Sequence, residues 1–464
     1  MKEATPTPAT VNSMGRFGHS VSYASLKQPR RSRGVPSHAD RTRPWHLACS
    51  TVAVRVLWVK AGKLLPVDTG GKIRSFNLLR QLAARHDVTL LSYYGGRRDD
   101  TYERELRETF PGAVPLHTGA MDGSTVARAF DYARRTFSDA PYAVAKFTSP
   151  LVATRIAGWD RDRAFDVAVC DFLSASLNFP ERLRVPTVLF QHNVESVLWE
   201  RQAATERHPI KRLVFAREAH KMRRYEAAAV ARFARVIAVS DADRAAMAAM
   251  TDPARIAVVP TGVDTRAFRP AVRNASPPPE VLFLGSMDWE PNIDAVRFFC
   301  DAVWPRVRTA VPGARFRVVG RQPPPSIQRL AAGDIEIAGR VPSVHEHLHR
   351  AAVFVVPLRI GGGTRLKIYE AMGAAKAVVS TTIGAEGLDV RHGENIEIAD
   401  DAASFASAVV RLLQHPDERR ALEDGALALA ARYDWTAVGQ QFEDILAGAA
   451  SDPALRDGSA RAVA

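Results

Sequence analysis

From about residue 52 onward, short β-branched runs alternate with stretches of helical period, and the alternation is interrupted once. "VAVRVLWV" (52–59) precedes "KIRSFNLLRQLAARH" (72–86), whose apolar residues recur at helix spacing, and "DVTLLSYY" (87–94) follows. "FDVAVC" (165–170), "VPTVLF" (185–190), "RVIAVS" (235–240) and "RIAVVP" (255–260) continue the series. A chain ordered in this way forms a parallel sheet with helices on both faces. "RPAVRNASPPPE" (269–280) is proline-rich and apolar-poor, so it reads as a linker. The pattern restarts with "VLFLGS" (281–286), "ARFRVVG" (314–320), "DIEIAG" (334–339), "AVFVVP" (352–357) and "AVVS" (377–380), and the chain is helical after about residue 400. A length of 464 residues also exceeds one comfortable core. Two consecutive doubly wound α/β domains are therefore expected, at 51–270 and 271–450, with tails at 1–50 and 451–464.

Composition narrows the class. Hydrophobic residues make up 46% and charged residues 24%, as in soluble globular proteins. No stretch approaches the roughly 18 to 20 apolar residues that cross a bilayer, and the first fifty lack the apolar segment of a secretory signal. Cys49, Cys170 and Cys300 lie far apart, which argues for a reducing cytoplasm and against a zinc site or disulfide framework. Much of the net charge of +13 is local: residues 1–50 carry eight Lys and Arg against Glu3 and Asp40. That segment reads as a disordered basic tail or as translation from a start codon set too far upstream. The moderately basic remainder suits a polyanionic or membrane-surface partner without demanding one.

"PLRIGGGTRLKIYEAMGAAKAVVSTTIGAEGL" (357–388) concentrates the chemistry. Gly361, Gly362 and Gly363 follow a strand and precede a helix, where ligands of open parallel sheets sit. Glycine lets backbone N–H groups approach a ligand, and a helix N-terminus adds free donors and partial positive charge. Arg365 and Lys367 oppose the local dipole, which makes sense if an anion lies between them. Glu370, further along, can accept both hydroxyls of a ribose, so the set suggests a nucleoside diphosphate. The plain alternative is a tight turn with solvated charges.

These residues resemble the GT-B glycosyltransferases of family 4, and within them the bacterial exopolysaccharide sugar transferases with a "GGGTRLKxxEAM" donor loop. The resemblance covers roughly residues 52–446 and includes "VPTGVDTRAFRP" (259–270), similar to the family's domain-closing stretch, and "GSMDWEPNIDAV" (285–296), similar to the first loop of its nucleotide domain. It implies two Rossmann-like domains facing a central cleft. It also implies that Gly285 lies in the donor site and that Glu370 holds the ribose. The backbone of Gly363, Thr364 and Arg365 would then hold the donor's phosphate and sugar, with Lys367 or Arg365 neutralising charge. Two departures stand out. Gly362 replaces the first of two glutamates found in many relatives. The cationic pair of the first loop is also missing, and Arg321 is the candidate substitute.

On the acceptor side, Gly70 and Gly71 lie between a first strand and a helix, and in the family this loop faces the donor phosphate and the acceptor across the cleft. His192, Asn193 and Glu195 follow a strand in "VLFQHNVESVLWE" (188–200). By itself His192 reads as a structural histidine bonded to a carbonyl. The resemblance makes it the cleft histidine, and Glu195 fits either a sugar contact or a helix cap. The basic stretch 206–236, with Ile210, Leu213, Val214 and Phe215, fits either a solvated helix or attachment to an anionic membrane, where a lipid-linked acceptor would be met.

The expected activity is metal-independent and retaining, with no cofactor. It would move a sugar from a nucleotide-diphosphate sugar to a glycan or lipid-linked acceptor, in the cytoplasm or at the inner face of the membrane. Competing readings are a nucleotide-sugar epimerase of the same fold, an inactive regulator, and a basic nucleic-acid-binding protein. The last finds no aromatic-basic interleaving or recognition module in the sequence.

Overall fold

The computed structural model describes residues 53–119, 131, 132, 135, 138–206, 208–270, 278–360 and 365–455. The basic segment 1–50, and Gly361, Gly362, Gly363 and Thr364, lie outside these described residues.

The first sheet is built from β1 (Arg55–Ala61), β2 (Asp87–Tyr94), β3 (Ala113–His117), β4 (Val167–Asp171), β5 (Thr187–Phe190), β6 (Arg235–Ala238) and β7 (Ile256–Val258). Its order is β3-β2-β1-β4-β5-β6-β7, with every pairing parallel. The second sheet contains β8 (Glu280–Leu284), β9 (Arg315–Val319), β10 (Ile335–Gly339), β11 (Val353–Val356), β12 (Ala377–Ser380) and β13 (Glu397–Ile398), in the order β10-β9-β8-β11-β12-β13. Strands such as "VFVV" of β11 are buried on both faces, as covered parallel sheets require.

Strand order reverses direction beside β1 in the first sheet and beside β8 in the second. At such switch points the connections leave toward opposite faces and open a crevice at the strands' carboxyl ends. The residues of the candidate site cluster at these two crevices.

The last long helix, Trp435–Ser451, falls by position in the expected second domain but packs on the first sheet. Phe442 lies 5.5 Å from the Trp58 ring and 5.1 Å from Phe190. Burying such a side chain fully contributes roughly 1.5–3 kcal/mol, enough to hold the returning chain. The outgoing and returning segments cross side by side. Val263 N–H donates to Tyr433 O (2.8 Å), Trp435 N–H donates to Val263 O (3.1 Å), and Thr265 Oγ1 donates to Asp434 (2.5 Å). Gly262 is required at this crossing, since a β-carbon there would meet the Trp435 ring at 2.5 Å.

Candidate active site

In the second domain, the helix Leu366–Gly373 follows β11 and carries Lys367 and Glu370. Lys367 Nζ donates to Asn292 Oδ1 (3.0 Å) and sits 4.7 Å from the Phe283 ring centroid. Asn292, on the helix Glu290–Phe298, also donates from Nδ2 to Ser286 O (2.8 Å), so it ties the loop after β8 to Lys367. That loop is pressed close. A β-carbon on Gly285 would fall 2.8 Å from Asn292 Cγ, and one on Gly320 would fall 1.7 Å from Gly285 O.

Burial pulls the Lys367 ammonium down to about 7, with Arg365 adding to the shift and Glu370 opposing it. Burial likewise pushes the Glu370 carboxyl up to about 7, with Lys367 opposing. Both shifts favour the uncharged forms, so the charge of each group responds to a change in its surroundings.

Arg365 and Arg321 are committed to partners within the protein. Buried Arg365 donates from Nη2 to Ile383 O (2.7 Å) and lies 3.6 Å from Glu386. Arg321 donates from Nε to Ser286 Oγ (2.8 Å) and meets Asp288 at 3.2 Å. It also reaches Asp68 of the first domain, at 3.9 Å. Its charge is thus shared between two carboxylates on opposite sides of the cleft.

In the first domain, Gly70 and Gly71 open the helix Gly70–Ala83, and a β-carbon on Gly71 would lie 3.1 Å from His192 Nδ1. His192 follows β5, and its Nε2 bonds Asp171 Oδ1 (2.9 Å). Asp171 Oδ2 accepts from Lys60 Nζ (3.0 Å) and from Trp58 Nε1 (3.0 Å). Burial alone would raise the Asp171 carboxyl, but the Lys60 ammonium and the His192 bond hold it well below the usual range. Burial pulls His192 down to about 4 despite Asp171, and Arg74 and Lys60 lower it further. An ionised Asp171 can only accept, so neutral His192 carries its proton on Nε2. Nδ1 is then left as an acceptor toward Gly71.

Asn193 lies beside His192 on the cleft wall. The helix-capping role open to Glu195 in the sequence is taken by Glu226. Its carboxylate accepts Glu195 N–H (2.8 Å), Ser196 N–H (2.9 Å) and Ser196 Oγ–H (2.6 Å). Burial, then Glu226, push the Glu195 carboxyl up to about 7, against the Asn193 bond and Lys146.

Two spaces meet at His192. An open cleft of about 520 Å³ is bounded by Gly70, Gly71, Phe172, Ser174, His192 and Asn193. A cavity of about 200 Å³ separates Arg74, His192 and Ser240 of the first domain from Arg365, Tyr369 and Glu386 of the second. Arg74 is buried there, donating to Thr261 Oγ1 and, at 3.5 Å, to His192 O. Arg201 pairs with Glu386 at 2.9 Å across the same seam.

Sequence reasoning missed Asp171, Lys60 and Asn292. One signal was present: Lys60 and Asp171 are charged residues near the carboxyl ends of strands whose middles are apolar.

Two parallel α/β domains that open their switch-point crevices toward each other define the GT-B fold. Residues 69–267 match the model of Glycosyltransferase Family 4, and residues 278–415 match that of Glycosyl transferases group 1. The fold is of the GT-B type, and each of its two domains matches a glycosyltransferase family model. A phosphatidyl-myo-inositol mannosyltransferase from Mycobacterium tuberculosis is 30% identical over 225 residues, 44% of this chain and 57% of that protein. The chain thus spans little more than half of that relative. Among solved structures, sucrose-phosphate synthase from Thermosynechococcus elongatus superposes with a TM-score of 0.58 at 16% identity, covering 84% of this chain and 98% of that one. Anabaena HepE in complex with UDP gives 0.57 at 14% identity, covering 85% and 100%. At those identities the likeness concerns the fold.

Proposed function

We propose that the chain is a retaining, metal-independent glycosyltransferase of the hexosyl type. It would move a sugar from a nucleotide-diphosphate donor to a lipid-linked glycan in cell-surface polysaccharide assembly at the cytoplasmic face of the membrane. The observation that carries this reading is the placement of Lys367 and Glu370 on the helix that follows β11, at the carboxyl edge of the second sheet, with Lys367 Nζ held 3.0 Å from Asn292 Oδ1. Glu370 would accept the ribose hydroxyls. Lys367, steered by Asn292, would meet the diphosphate together with the backbone of the glycine run. Cations and N–H donors aimed at the leaving phosphate hold it more strongly as its charge grows in the transition state, which is what accelerates the step. The leaving phosphate oxygen would take the acceptor hydroxyl's proton on the same face of the sugar. Closure of the domains would exclude water and suppress donor hydrolysis.

Membrane attachment is supported by the start of the helix Pro209–Arg232, where Ile210 is 68% and Leu213 72% exposed beside exposed Lys211 and Arg212. An apolar pair among cations fits an anionic lipid surface. Among the described residues no helix is long and apolar enough to cross a membrane.

Calorimetric titration of UDP, GDP and ADP, with and without magnesium, tests the donor site. Saturable binding of one nucleotide without magnesium is expected, weakened by Glu370→Gln about tenfold or more through loss of a charged hydrogen bond. Failure of a folded protein to bind any of the three overturns the reading.

A further inference from the structure

Arg74 is 1% exposed, yet among the described residues it makes no ion pair. Its contacts are two neutral oxygens, Thr261 Oγ1 and, at 3.5 Å, the His192 carbonyl, and its Nε has no hydrogen-bond partner. A guanidinium taken out of water normally meets a carboxylate or phosphate, because an uncompensated buried charge is costly. Burial pulls Arg74 down to about 9, and the carboxylates that oppose the shift, Asp243 and then Asp171, act on it from beyond hydrogen-bond distance. A donor left over on a buried cation points to a partner from outside the chain.

Arg74 lines the cavity of about 200 Å³ between the domains. A water needs only about 10–15 Å³ of such space, so a tetrahedral oxyanion fits there with waters around it. The wall gathers three cations, Arg74, Arg201 and Arg365, against two carboxylates, Asp243 and Glu386. Glu386 is taken by Arg201 at 2.9 Å and lies 3.6 Å from Arg365, and Asp243 accepts from Ser240 Oγ (2.7 Å). One positive charge is in excess, and Arg74 is the cation with no carboxylate beside it.

This space is separate from the one that Lys367 and Glu370 serve. Arg365 and Tyr369, four positions apart, turn one face of the helix start to the cavity. Lys367 is directed instead to Asn292 and Phe283, and neither it nor Glu370 borders the cavity. The open cleft beside Gly70 and Gly71 shares only His192 and Asn193 with it.

We propose that the seam between the domains binds a small oxyanion of phosphate type, held by Arg74 Nε–H from the first domain and facing buried Arg365 across the cavity. An anion held from both walls binds best where the walls stand close, so phosphate shifts the protein toward its closed arrangement. The site goes beyond the glycosyl-transfer reading and does not depend on it.

Calorimetric titration of inorganic phosphate, methyl phosphate and dimethyl phosphate into the full chain tests it. Phosphate or methyl phosphate binding marks a free phosphate or monoester, and dimethyl phosphate binding alone marks a phosphodiester; either meets the site's chemistry. Binding is expected to persist in protein saturated with nucleotide and to be unchanged in Glu370→Gln. Arg74→Met, which removes the charge and keeps the stem, should weaken it at least about tenfold. Phosphate should raise the melting temperature of the parent and lower its radius of gyration in X-ray scattering, with neither effect in Arg74→Met. Displacement by nucleotide, equal affinity in Arg74→Met, an unchanged radius or no binding overturns the proposal. The nucleotide competition uses the parent protein alone, so it decides even where Arg74→Met does not fold. A protein that binds nucleotide and no phosphate loses this site and keeps the transfer reading.

Discussion

Lys60 and Asp171 stand opposite each other in register across β1 and β4, joined Nζ to Oδ2 at 3.0 Å, and the second Asp171 oxygen holds His192. The pair sits at the switch point of the first sheet, so the crevice opened by topology is also where the domain buries its charges. Trp58 Nε1–H shares the same carboxylate, which links the polar network to the aromatic core beneath the returning helix.

Removing one partner of this pair should be costly. Asp171→Ala leaves the Lys60 ammonium buried without a counter-charge, and such losses run to about 3–5 kcal/mol. A drop of that order is expected in urea unfolding of the first domain. The double variant Lys60→Met/Asp171→Leu should recover part of it, because replacing both partners by apolar groups removes the desolvation cost.

Stability should also fall on mild acidification. The unfolded imidazole titrates near about 6.5, whereas folded His192 titrates at about 4. Between these values the unfolded chain binds more protons, so the contribution is complete above the upper value and lost as pH falls through the window. Its size is on the order of 3 kcal/mol. Asp171, held low when folded, adds a further loss only below the unfolded carboxylate range near about 4. Denaturant midpoints measured from pH 7.5 to 4 should follow this slope, and His192→Gln should flatten it.

The order of strands and helices was legible because buried parallel strands are written as short β-branched runs, whichever neighbours they take. The helix that carries Lys367 and Glu370 stood out because cations at a helix start oppose the dipole and ask for a reason. The Asp171–Lys60 pair was not, since its two members are 111 positions apart and only the β1–β4 register joins them. Nor was the docking of the last helix, whose amphipathic face fits either sheet until Gly262 and Trp435 are seen in contact.

The chain crossing between domains should be intolerant of a single methyl group. At Gly262 a β-carbon meets the Trp435 ring at 2.5 Å, so Gly262→Ala must displace an indole packed beneath the returning helix. Overpacking of this kind costs about 1–3 kcal/mol. Thermal unfolding should show that loss, whereas Gly313→Ala, at φ +84° with open space around it, should show only backbone strain.

Ile210 and Leu213 provide a separable test of membrane attachment. The double substitution Ile210→Ser/Leu213→Ser touches exposed positions, so melting temperature and nucleotide affinity should hold. Flotation with vesicles of phosphatidylcholine and phosphatidylglycerol should fall at least tenfold, since burying each apolar side chain contributes roughly 1.5–3 kcal/mol. Vesicles of phosphatidylcholine alone should bind less than the anionic ones from the outset. Unchanged flotation of the double variant would remove this helix from the membrane account.

Nucleotide affinity itself should depend on pH in a direction fixed by Lys367. In the free protein burial sets its ammonium at about 7, and a diphosphate beside it would favour the charged form. Binding then takes up a proton whenever the free lysine is neutral, so affinity falls as pH rises above about 7, by up to about tenfold per pH unit. Glu370, raised to about 7 by its own burial, ionises over the same range and bonds the ribose more strongly as it does, which weakens affinity on the acid side. The two effects together give an optimum close to neutrality. Lys367→Arg should remove the alkaline limb, because a guanidinium stays charged there. Glu370→Gln should remove the acid limb and lower affinity at the optimum. Calorimetry from pH 6 to 9 reads both limbs, and an affinity that is flat across that range in the parent protein would place the phosphate away from Lys367.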